Sequence, residues 1–271
     1  MSTINRSKLY KYSLIFCTLL VAILVSLIYI LNFDLVILAI ESYEGALEIM
    51  ITICIRIILL FIMCLYLFGK WFKQEAQFLS DIPFLLGLFF LILMFGKALD
   101  LFHDITYFTF NDDVVLVLLK VRFFTIIFEV APLLYLGMEV IFFRLEDKYR
   151  KLKNKAYMNR LRTILIAMIV IIESIPVLIG PSVTVVTMIL PFILIPSLIG
   201  IVYIFYMAYR LNRLTVVKPG ILTIGFFLYM LSSIFRPLLL NIIGEEAIYL
   251  VIVETLDIII FLIIFFGLYK K

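Results

Sequence analysis

The chain alternates between long apolar runs and short polar connections. The runs lie at about Tyr12–Leu31, Ala46–Phe68, Ile82–Leu101, Val114–Phe143, Leu161–Ile179, Val183–Tyr209, Ile221–Ile243 and Ala247–Leu268. Each reaches the roughly 20 residues that a helix needs to cross a bilayer. The pattern predicts an all-α fold, a polytopic transmembrane helical bundle of eight spans in one domain. An N-terminal span over 12–31 precedes a seven-helix bundle over 46–268. The fourth and sixth runs exceed a perpendicular crossing, so tilting, kinking or projection is expected. Pro191, Pro196 and Gly200 fall in the sixth. A kink is expected there, because proline removes a backbone donor and clashes with the preceding turn.

Polar residues between the runs set the orientation. With the N-terminus inside, the inside segments hold Arg6, Lys8, Lys11, Lys70, Lys73, Arg210, Arg213, Lys218, Lys270, Lys271 and every base from Arg144 to Arg162. The outside connections hold none, and carry Asp34, Glu41, Glu44, Asp112, Asp113, Glu245 and Glu246 instead. Cytoplasmic segments are the ones enriched in Lys and Arg, so both termini are expected in the cytoplasm of a cell-membrane protein. The first span follows Arg6, Lys8 and Lys11 with no small-residue cleavage site after it, which reads as an uncleaved signal anchor. Trp71, beside Lys70 and Lys73, fits an interfacial anchor. The basic loop 144–162 is a topology determinant that could also meet anionic headgroups or a cytoplasmic partner.

Composition agrees. The apolar share is 65%, the charged share 15% and the mean hydropathy +1.22. Soluble domains are about half apolar and a quarter charged, so the lipid bilayer is the expected partner of the remaining apolar surface. No connection is long enough for a soluble catalytic or DNA-binding module. The formal net charge of +4 therefore has a topological origin, and no nucleic-acid partner is expected. Cys17, Cys54 and Cys64 lie inside apolar runs and form neither a disulfide framework nor a zinc pattern.

Candidate chemistry resides in the charges within the spans. These are Arg56, Lys97, Asp100, Lys120, Arg122, Glu129, Glu139, Glu173, Arg236, Glu254 and Asp257. Such groups cost several kcal/mol unless paired or wet, and so are functional candidates. Most of them fall in the outer half, with Arg56 near mid-membrane and Glu139 near the inner face. Lys97, Asp100 and Asp104 share a helix face at i, i+3 and i+7, and Arg122 and Glu129 share another at i, i+7. Tyr229, Ser232 and Arg236 form a third stripe, and Glu48, Thr52 and Arg56 a fourth. Glu254 and Asp257 sit three apart, and adjacent carboxylates require a cation, a proton or basic partners. An outer polar cavity for a small molecule or ion, or a buried ion-pair network that fixes helix order, follows from this convergence. Arg56, Lys120 or Arg122, and Arg236 are expected within pairing distance of Glu129, Glu173, Glu254 or Asp257.

The remaining motifs narrow the chemistry. Asp100, His103 and Asp104 form D-x-x-H-D, but His103 is the only histidine, so no metal site and no cofactor are expected. No glycine-rich phosphate loop and no nucleophile motif beside His103 are present.

Gly96-Lys97-Ala98-Leu99-Asp100-Leu101, then Lys120-Val121-Arg122-Phe123, Pro132, and Glu139 ahead of a basic run give residues 46–268 a resemblance to a known family. They resemble the seven-helix membrane sensing regions that precede some prokaryotic histidine kinases. The chain departs from that pattern in its added N-terminal span and in reaching Lys271 without a kinase. The resemblance implies sensing through a separate partner. Four functions follow, in this order: a sensor or receptor-like subunit, a secondary transporter or channel, a membrane enzyme acting on a lipid through outer carboxylates, and a structural subunit of a membrane complex.

Overall fold

The computed structural model describes residues 3–269 except 43, 107–109, 215 and 245–246; Glu245, Glu246, Lys270 and Lys271 of the charge pattern lie outside them. The helices are α1 (Thr3–Leu31), α2 (Phe33–Ser42), α3 (Ala46–Phe72), α4 (Ile82–Thr106), α5 (Asp112–Leu145), α6 (Lys155–Ile179), α7 (Val183–Arg210), α8 (Pro219–Ile243) and α9 (Ala247–Leu268). No strand occurs among the described residues. Among the described residues, seven helices are long and apolar enough to cross a membrane, namely α1, α3, α4, α6, α7, α8 and α9. The chain is a multi-pass membrane protein. The other long helix, α5, is interrupted by Lys120, Arg122, Glu129 and Glu139.

Local sequence sets the helix starts. Asn111 accepts from the Val114 amide at 3.1 Å. Asn154 accepts from the amides of Ala156 and Tyr157 at 3.0 and 3.3 Å. Both occupy the position where a side-chain oxygen satisfies the free first-turn donors. Asn154 starts α6 well before Leu161, so Arg160 and Arg162 belong to a helix and not to the basic loop. Pro219 opens α8, where its missing N–H costs nothing. Gly45 precedes α3 at φ +86°, and a Cβ there would stand 2.3 Å from the Ala247 Cβ. Only glycine meets both conditions.

Two further readings of the sequence change. The connection between the first two apolar runs contains a helix, α2, whose Val36 and Ala39 are buried. Its 10 residues rise about 15 Å, too little to span. Trp71 is fully buried against Phe84, and its Nε1 donates to Asp81 Oδ2 at 3.1 Å. It is a packing residue of the core, not an interfacial anchor. The helix α7 continues unbroken through Pro191 and Pro196.

Packing closes six helices into a ring: α3 on α4, α4 on α5, α5 on α7, α7 on α8, α8 on α9, and α9 back on α3. The helix α6 lies outside, against α5 and α7, and buries only Arg162 and Val177 among its described residues. The helices α1 and α2 lie outside α4. The Tyr29 hydroxyl of α1 donates to the Ala98 carbonyl at 2.6 Å. Inside the ring, the half toward Trp71 is aromatic. Phe89, Phe90, Phe205, Phe226 and Phe261 are all at most 2% exposed. Phe205 and Phe226 stack with centroids 5.1 Å apart, and Phe89 meets Phe226 edge-on at 5.8 Å. Close approach of α8 and α9 rests on Gly225, where a Cβ would stand 2.5 Å from Ile264 Cγ1.

Candidate functional site: a charged cavity inside the ring

Past the aromatic half, each of α3, α4, α5, α8 and α9 turns charged residues inward. The α3 register that buries Ile49, Ile53, Leu60 and Met63 also buries Arg56, at 0% exposure. Its Nη1 lies 2.7 Å from both Glu254 Oε2 and Asp257 Oδ2. Its guanidinium carbon sits 5.1 Å from the Phe261 ring centroid. The i, i+3 spacing on α9 thus clamps one arginine between two carboxylates.

The network continues from those acids. Glu254 Oε1 accepts from Lys97 Nζ at 2.9 Å, and Lys97 also meets Asp100 Oδ2 at 3.2 Å. Asp100 Oδ1 lies 2.6 Å from Arg122 Nε, and Asp104 Oδ1 lies 3.8 Å from Arg122 Nη1. His103 Nδ1 lies 3.1 Å from the same Asp104 oxygen. On the other side, Asp257 pairs with Arg236 and accepts from the Ser232 hydroxyl at 2.9 Å.

Exposure grades across this network. The Arg56 and Asp257 side chains are sealed at 0%, whereas Asp104, Arg122 and Arg236 retain 23%, 22% and 27%. Two Arg56 nitrogens, Nε and Nη2, and Arg236 Nε are buried and make no hydrogen bond with any described residue.

A cavity of about 130 Å³ opens between α4, α5, α7 and α8. Lys97, Asp100, Arg122, Glu129 and Arg236 line it, with Tyr229 and Ser233. Gly96 leaves the room on α4, because a Cβ there would stand 3.3 Å from Thr125 Oγ1 and 3.9 Å from Glu129 Oε2.

Eight of the residues singled out from the sequence therefore meet: Arg56, Lys97, Asp100, Arg122, Glu129, Arg236, Glu254 and Asp257. Two stand apart. Lys120 donates to the Leu178 carbonyl at 2.9 Å, across to α6. Glu173 accepts from Ser197 at 3.5 Å, between α6 and α7. The expected partners change as well. Arg56 and Arg236 find the α9 acids, but Arg122 takes Asp100 and Asp104. Glu48 is exposed, so the Glu48–Thr52–Arg56 stripe does not enter the ring as a unit, and Arg56 enters it without Glu48. Asp104, Thr125 and Ser233 complete the site. The i+7 stripe from Lys97 signalled Asp104; nothing in the sequence marked the two hydroxyls. Comparison with protein-family models, curated proteins and solved structures finds no match for this chain.

Proposed function

We propose that this protein is a sensor or receptor-like membrane subunit of eight spans that takes a small ligand into the charged cavity from the extracytoplasmic side. Both ends of the chain are then cytoplasmic, and the exposed bases between Arg144 and Arg160 are the surface offered to a cytoplasmic partner or to anionic lipid. The observation that carries this reading is the asymmetry of the ring interior. Polar groups gain exposure toward Asp104, while the opposite side is filled by Phe89, Phe90, Phe205, Phe226 and Phe261. A cavity with an aromatic floor fits a receptor that binds and holds, whereas a transporter needs a path past that floor. The absence of bases from the outer connections supports the orientation. The resemblance of residues 46–268 to kinase-linked sensing regions points the same way.

One labelling experiment tests this. In a cysteine-free background, Cys placed at Ser233 reacts with a small impermeant thiol reagent added from outside, and not from the cytoplasmic face of inverted vesicles. Cys at Asp112 reacts from outside and Cys at Lys153 from inside. Labelling of position 233 from the cytoplasmic face alone refutes the orientation and the one-sided cavity together. Labelling from both faces selects the transporter.

A further inference from the structure

We propose that the cavity binds a small organic monocation, an ammonium group on a short apolar body, with Glu129 as its counter-charge. This rests on the reading of the cavity as a ligand site and names what that ligand carries.

The argument begins with charge balance. Among the described residues, four bases meet in the ring: Arg56, Lys97, Arg122 and Arg236. Four acids hold them: Asp100, Asp104, Glu254 and Asp257, each within 4 Å of a base. Glu129 is the fifth acid. It is 5% exposed, lines the cavity, and makes no hydrogen bond or ion pair with any described residue. A buried ionised carboxylate without a partner carries a large desolvation penalty. A proton or one positive charge can answer it, and the cavity is the space beside the carboxyl in which a cation can displace that proton.

The lining decides between classes of cation. It also includes the hydroxyl-bearing residues Thr125, Tyr229 and Ser233, and the apolar residues Leu93, Ile126 and Leu194. Thr125 and Ser233 spend their protons on the carbonyls of Arg122 and Tyr229, at 2.6 and 2.9 Å. Their oxygens are left as acceptors, which suits an N–H donor. Size favours an organic ligand: a cavity of about 150 Å³ holds a six-carbon ring, and this one measures about 130 Å³. The cavity-lining bases already face their own carboxylates, so an added anion would find its charge largely answered.

The test uses the full chain in nanodiscs and four probes: isobutylammonium, its neutral isostere isobutanol, the related zwitterion valine, and sodium ion. Isobutylammonium is expected to raise the melting temperature saturably, and isobutanol, valine and sodium are not. Glu129→Gln, if folded, loses the response by at least tenfold in apparent affinity. Gly96→Ala keeps every charge, narrows the cavity and weakens isobutylammonium more than methylammonium. A preference for valine over isobutylammonium overturns the monocation, since it places a carboxylate on the bases. Equal binding by Glu129→Gln, a response to sodium alone, or a response to acidification alone overturns it too. If position 233 is labelled from outside and protected by some anionic or neutral compound instead, the cavity reading stands and the monocation falls. If position 233 is unreachable from outside, the cavity reading itself fails.

Discussion

Two arginines are buried almost completely in this bundle, and they are satisfied in opposite ways. Arg56, inside the ring, has two carboxylates on one nitrogen and leaves Nε and Nη2 without hydrogen bonds to any described residue. Arg162, at the contact of α6 with α5, uses every nitrogen. Its Nε and Nη2 donate to the Tyr135 carbonyl at 3.1 and 2.9 Å, and its Nη1 donates to Asn159 Oδ1 at 3.2 Å. The Tyr135 ring lies 3.9 Å from its guanidinium carbon. Its one carboxylate, Glu139, is 49% exposed. Arg162 is therefore held mainly by neutral acceptors and an aromatic face, as a fastener between two helices. Arg56 is rich in counter-charge and poor in hydrogen bonds. That imbalance belongs to a region whose geometry is not set by fastening alone.

The comparison sharpens through substitutions. The largest effect is expected from Arg56→Met. Glu254 and Asp257 each lose the central cation, and breaking a buried pair costs about 3–5 kcal/mol. Adding Glu254→Gln should recover part of that loss in a thermal or denaturant unfolding cycle. Absence of any coupling would show that the pair is not a unit.

An intermediate effect, about 1–3 kcal/mol, is expected from Arg162→Ala, which leaves the Tyr135 carbonyl without its side-chain donors. Arg162→Lys should recover less than half of it, because an ammonium cannot fork to one carbonyl while stacking on a ring. Full rescue by lysine would mean that charge, not the fork, is what matters there.

The smallest effect is expected from Glu139→Gln, below about 1 kcal/mol, since its partner pair is half open to solvent. A loss as large as that of Arg56→Met would erase the distinction between the two sites.

Much of this was legible in the chain, and the parts that were not have physical reasons. Apolar runs mark the long helices because spanning length and hydropathy are local properties. Helix α2 escaped for the same reason: Phe33–Ser42 is apolar but too short to register as a span. Helical spacing placed Lys97, Asp100 and Asp104 on one face, and the structure gathers them on Arg122 and Glu254. Which helix faces which is not local. Arg122 was as free to meet Glu129 on its own face as Asp100 on the next helix, and only the packing of α4 on α5 decides. Lys120, two residues earlier, points to α6 instead. Arg162 was hidden by its neighbours: a run of bases read as loop, although Asn154 already signalled the helix start.

The ring's closure also has a temporal side. Arg56 on α3 is joined to Glu254 on α9, 198 residues later in the chain. A ribosome delivers the arginine long before its counter-charges exist. Until α9 arrives, α3 has only one of its two ring neighbours, and its central cation lacks both carboxylates that pair with it. Insertion therefore leaves a nascent chain with an uncompensated charge at mid-helix, which the final span relieves. A chain stalled or cut before α9 would retain that defect, giving membrane quality control a physical mark by which to recognise an incomplete copy.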